Sequence, residues 1–138
     1  MGNRALSVST WFLRTAIAAA FLSVVADRFG LWGAPGADGI AWGNWYYFSL
    51  YAAELTGFLP SFLHEPAVWM ATAAEVVLAV GLLVGWKLRY FALASGVLLL
   101  IFALSMALAF GIKAPLDYSV FSASAGAFLL AVIPRERE

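Results

Sequence analysis

Residues 66–85, PAVWMATAAEVVLAVGLLVG, form a run of twenty residues with one charge, Glu75, at its centre. As a helix the run measures ~30 Å, the thickness of a bilayer's hydrocarbon core. A carboxylate at mid-depth costs ~2.5 kcal/mol or more on insertion scales, so Glu75 must face protein or trapped water rather than lipid. The rest of the chain has to supply that environment.

The whole composition fits such a setting. The chain has 138 residues, 64% hydrophobic and 12% charged, against about 45–50% and about 25% in a soluble domain. This predicts one all-α integral membrane domain spanning residues 1–138. The formal net charge is zero, which gives no electrostatic footprint for nucleic acid. There is no cysteine, which excludes disulfides, thiol redox chemistry and thiolate metal sites. The single histidine, His64, cannot supply both axial ligands of a bis-histidine haem, and no second His or Cys offers itself to a metal. His64 reads as a surface-loop residue.

Three further apolar runs accompany the first. Residues 8–27 form span 1. Arg4 and Ala18–Ala19–Ala20 give this region some likeness to a signal peptide, but Arg14 interrupts the apolar stretch such a peptide needs. Arg14 and Arg28 are nearly four helical turns apart, so they share a face with Phe21 and Val25, while Asp27 points elsewhere and marks the far interface. Residues 30–41 are a Gly/Pro-rich loop. Residues 42–60 are dense in Trp and Tyr, residue types that collect at membrane interfaces. They predict an extra interfacial helix with Asn44, Tyr47, Tyr51, Glu54 and Phe58 on one face. Span 2 is residues 66–85, opened by Pro66. Span 3 is residues 91–110, after the basic turn around Lys87 and Arg89. Span 4 is residues 117–133, carrying Ser119, Ser122 and Ser124, which are expected to bond back to their own helix. The expected fold is therefore a four-transmembrane-helix bundle. Gly81 with Gly85, and Ala92 with Gly96, have the small-xxx-small spacing that admits close helix approach.

Basic residues orient it. Arg4, Lys87, Arg89, Arg135 and Arg137 fall on one side, Arg28 and Lys113 on the other. The positive-inside rule then makes both termini cytoplasmic and the aromatic segment external.

Several stretches resemble the DoxX family of small four-helix bacterial membrane proteins. They are Arg14, Ala26-Asp27-Arg28-Phe29-Gly30, Ala71-Thr72-Ala73-Ala74-Glu75 with Gly81, Arg89, and Pro115-Leu116-Asp117-Tyr118-Ser119-Val120-Phe121. The resemblance implies a bacterial inner (cytoplasmic) membrane and a tie to quinone or sulfur redox chemistry. It transfers no activity. Its DoxD relatives, linked to thiosulfate:quinone oxidoreduction, work with a second subunit.

Glu75 is the leading candidate site, either as a proton-handling or quinone-facing carboxyl or as a structural bond between helices. Arg14 is the expected counter-charge, with snorkelling to the headgroups as its alternative. Asp27, Arg28, Glu54, Lys113 and Asp117 cluster by predicted depth at the outer interface, as a polar lid or a solvated rim. Trp45, Tyr47 and Tyr51 are interfacial anchors or the wall of a quinone site. Three functions compete: a quinone- or redox-associated subunit lacking its own redox centre, a small proton-coupled transporter using Glu75, and a membrane scaffold. The expected partners are the lipid bilayer, a redox protein and further copies of the chain, with a quinone as non-covalent cofactor.

Overall fold

The computed structural model describes residues 2–134. Arg135 and Arg137, which enter the charge count above, lie outside the described residues. The chain is all-helical, 77% helix, with no strand among the described residues. Helix α1 is Gly2–Arg28, α2 is Trp45–Leu55, α3 is His64–Val84, α4 is Leu88–Phe110, α5 is Lys113–Asp117 and α6 is Val120–Val132. A short 3-10 turn, Ser61–Leu63, leads into α3.

Three helices are long and apolar enough to cross a membrane: α1, α3 with its leading turn, and α4. Their outward faces carry large apolar side chains with no protein cover, such as Phe12, Met70 and Leu108. Leaving these in water would forgo ~25 cal/mol per Å² of apolar burial, so the exposed faces match a lipid environment.

Span 4 differs from its expected form. Residues 117–133 do not make one continuous helix. The backbone turns helical earlier, over Lys113–Asp117, then breaks at Tyr118 and at Ser119, whose φ of 57° is left-handed. The remaining helix, Val120–Val132, has 13 residues. It measures ~20 Å, short of the ~30 Å hydrocarbon core.

The core lies where four helices meet. Ile17, Ala18 and Phe21 of α1, Leu78, Ala79 and Leu82 of α3, Leu88 and Ala92 of α4, and Ala127 and Leu130 of α6 are buried together. Alanines are interspersed with leucines in this core, and small residues such as alanine let helix backbones approach closely. α1 packs along α3, and α6 along α4. Ser124 secures the second pair: its Oγ donates across to the Gly96 carbonyl at 2.7 Å, not back to its own helix as expected.

The glycine spacing also acts differently from its expected role. A Cβ at Gly81 would strike the Phe91 ring, so Gly81 admits an aromatic side chain of α4 rather than a backbone. Gly85 lies beyond the helix as the left-handed C-cap of α3, with φ of 82°. Gly96 makes room for the Phe128 ring, 2.8 Å from where its Cβ would sit.

Candidate functional site

The site forms where the end of α1 meets the middle of α3. Arg28 is the last residue of α1, and Glu75 lies eleven residues into α3. In both helices side chains tilt toward their own N-terminus. α1 and α3 run in opposite senses, so Arg28 leans into the bundle and Glu75 leans out to meet it. Their side chains pair. Arg28 Nη1 donates to Glu75 Oε2 and, at 2.9 Å, to Thr72 Oγ1. Nη2 donates to Glu75 Oε1 at 3.2 Å. Thr72, one turn before Glu75, donates its own hydroxyl hydrogen bond to the Val68 carbonyl at 2.9 Å. Glu75 is 1% exposed and Arg28 6%.

This corrects the expected partner of Glu75, which is Arg28 and not Arg14. The same tilt that joins Arg28 to Glu75 carries Arg14 away from it, toward the other end of α3. There Arg14 Nε donates to the Leu82 carbonyl at 2.8 Å and Nη2 to the Leu83 carbonyl at 3.1 Å. A cation on the last carbonyls satisfies orphan acceptors and complements the helix dipole. Arg14 is buried, with its guanidinium 3.8 Å from the Trp11 ring centroid, so it does not snorkel. The glycine at 85 leaves space for the Arg14 tip. The shared face of Arg14, Phe21, Val25 and Arg28 is the buried face of α1, as the spacing indicates.

A roof covers the pair. The Phe48 ring lies 4.1 Å from the Arg28 guanidinium carbon, and Trp42 lies 5.8 Å away. Both come from the aromatic segment, whose helix begins at Trp45 with Asn44 as its N-cap accepting from Tyr47 N at 2.9 Å. Phe48, Ala52 and Val68 form a second small core, flanked by Trp42, Trp45 and Tyr51.

Asp27 holds the roof in place. It is buried, and its carboxylate accepts the backbone N–H groups of Ala41, Trp42 and Gly43, each at 2.9 Å. The Gly/Pro-rich loop thus folds back onto the end of α1. Gly43 has φ of 80°, and a Cβ there would sit 2.7 Å from Pro35 Cα, so the return needs glycine.

Beside the roof stands a stack of three rings. Trp45 and Trp69 are stacked with centroids 4.0 Å apart, and Phe29 stacks on Trp45 at 5.4 Å. Glu65 Oε1 accepts from Trp69 Nε1 at 3.0 Å and from Trp45 Nε1 at 3.4 Å, fixing both indoles edge-on. Phe29 and Trp69 are each about half exposed. On the other side of α2, Tyr51 stacks on Phe110 at 5.5 Å. Burial holds the Tyr51 phenol above the ordinary tyrosine range; Tyr118 reinforces this and Arg28 opposes it.

The five expected outer residues do not close into a polar lid, and Glu54, Lys113 and Asp117 are exposed as a solvated rim would be. Arg28 belongs to the Glu75 pair and Asp27 to the loop. Lys113 and Asp117 pair with each other on an exposed turn, and Glu54 is exposed. Tyr47 is exposed and packs edge-on to Tyr46, apart from the three-ring stack. His64 is half-buried, its Nε2 2.9 Å from the Leu59 carbonyl. The sequence does not mark Glu65 and Trp69, and Thr72 enters only as part of the stretch at 71–75 that carries the family resemblance. Thr72 lies three residues before Glu75 on the same buried face of α3, a signal helical periodicity could have used, whereas Trp69 is exposed and six residues before it.

No group of three or more His, Cys, Asp or Glu side chains gathers to hold a metal among the described residues. Two apolar grooves run between α3 and α4, and neither is lined by Glu75, Arg28 or Thr72. No protein-family model, no curated protein and no solved structure matches this chain.

Proposed function

We propose that the chain is a redox-associated accessory protein of the bacterial inner membrane, with no redox centre of its own, that docks a quinone ring on its outer aromatic platform. The observation that carries this reading is the Phe29–Trp45–Trp69 stack, with Phe29 and Trp69 about half exposed and both indoles bonded to Glu65. Flat apolar rings bind by offset stacking on such surfaces. The buried Arg28–Glu75 pair and the Asp27-anchored loop hold the platform rigid. In this reading the chain crosses the membrane four times, with α5 and α6 together making the last crossing and both termini cytoplasmic. The DoxX resemblance points the same way, as does its implied need for a partner redox subunit.

A scaffold role is the second reading. It is favoured by the closed character of the pair: both Glu75 oxygens are engaged by Arg28, and neither α3–α4 groove reaches them. The same observation weighs against proton-coupled transport, because the counter-ion of Glu75 is already built in. Mass spectrometry of a native detergent extract separates the readings. A copurifying quinone supports the first. A stoichiometric protein partner without quinone supports the scaffold. Neither species would refute both.

A further inference from the structure

We infer that the inner end of the α3–α4 hairpin is a binding site for an anionic phospholipid. The hairpin turns at Gly85–Leu88, and its two basic residues, Lys87 and Arg89, are exposed. Neither forms an ion pair among the described residues. No acidic residue occurs in the sequence between Glu75 and Asp117, so the hairpin offers these cations no partner of its own. Lys87 is held in place by a left-handed backbone, φ 47°, with its Nζ 4.7 Å from the Trp86 ring centroid. Trp86 and Tyr90 are about two-thirds exposed beside it. Such rings sit at headgroup level in membrane interfaces.

An apolar seat leads away from this turn. A groove of about 500 Å³ runs along α3 and α4, bounded by Tyr90 near the turn and Ile101 at the far end, with Ala74 and Ala94 leaving it open. A second groove of about 340 Å³ adjoins it through Val77 and opens at Trp86. From Leu88 to Ile101 the helix rises ~20 Å, enough to traverse one leaflet of a ~30 Å hydrocarbon core. A phosphate on the cations and an acyl chain in the groove therefore fit one lipid. Charge complementarity selects the headgroup: two cations with no ion-pair partner among the described residues favour a net-negative lipid over a zwitterionic one. The inference does not depend on quinone docking, which involves the opposite end of α3. In the proposed topology this turn faces the cytoplasmic leaflet, where anionic lipids act on basic segments.

The test is native mass spectrometry of the full chain, purified in neutral detergent and offered equal amounts of dioleoyl phosphatidylglycerol and dioleoyl phosphatidylcholine. The wild type should retain phosphatidylglycerol over phosphatidylcholine by roughly tenfold or more, as expected for two basic contacts. Lys87→Asn with Arg89→Gln should bring that ratio to about one; asparagine suits the left-handed position at 87. Ala94→Phe, which fills the groove from an exposed position, should lower retention of both lipids. Equal retention by the wild type, an undiminished preference in the double variant, or unchanged retention by Ala94→Phe would each overturn the site. So would a protein dimer that Ala94→Phe abolishes, since a second copy would then occupy the groove.

Discussion

Replacing Glu75 and Arg28 by methionine, singly and together, probes the buried pair. Glu75→Met leaves the Arg28 guanidinium, 6% exposed, with Thr72 Oγ1 and the Phe48 and Trp42 rings beside it. Arg28→Met leaves a carboxylate, 1% exposed, with no cation beside it. Breaking a buried pair from one side costs ~3–5 kcal/mol. Independent losses would therefore sum to ~6–10 kcal/mol. Removing both charges in favour of apolar side chains of similar length is often nearly neutral. Here the double variant should still lose ~2–3 kcal/mol, because Arg28 also bonds Thr72 and lies against Phe48. The expected coupling is thus ~3 kcal/mol or more, measured by equilibrium unfolding in mixed micelles with helicity as the signal. Arg14→Met supplies the control. It bonds Leu82 and Leu83 carbonyls, not Glu75, so it should combine with Glu75→Met additively within ~0.5 kcal/mol. If Arg28 and Glu75 combine additively, or Arg14 and Glu75 couple strongly, the assigned pairing fails.

Other consequences concern the loop, the cap and the topology. Asp27→Ala strips the acceptor from three backbone N–H groups, so stability should fall by ~2–3 kcal/mol and limited proteolysis should begin within residues 30–44; a loop as resistant as the wild type would contradict this. Gly85→Leu forces a left-handed φ on a side chain and crowds the Arg14 tip, which should cost ~1–3 kcal/mol, whereas Gly85→Asn should recover part of the loss; equal losses would mean that backbone conformation is not the cause. Reporter fusions at residue 38 and after α6 should report opposite sides of the membrane if α5 and α6 together cross it; signals on the same side would remove the fourth crossing.

Much of this architecture is legible in the residues, and the failures have physical causes. Twenty-residue apolar runs mark α3 and α4 because a bilayer fixes helix length. The 14-residue spacing of Arg14 and Arg28 correctly puts both on the buried face of α1. Which arginine meets Glu75 depends on helix register and side-chain tilt, which the spacing of the charges along the chain does not fix. The aromatic run announces a separate helix between the first two long ones, but its use as a roof requires Asp27 to gather three amides from residues 41–43, a long-range match with no local pattern. The break at Ser119 is invisible for a similar reason: serine rarely takes a left-handed backbone, and nothing beside it in the sequence demands one.

Saturable quenching of tryptophan fluorescence by a short-chain quinone tests the account most directly, using the purified chain in detergent micelles. Trp45 and Trp69 form the stacked heart of the platform. The account predicts quenching that saturates in the wild type and becomes linear and unsaturable in Trp69→Leu, with helicity unchanged. Linear quenching in the wild type, or saturation undiminished by Trp69→Leu, would contradict it.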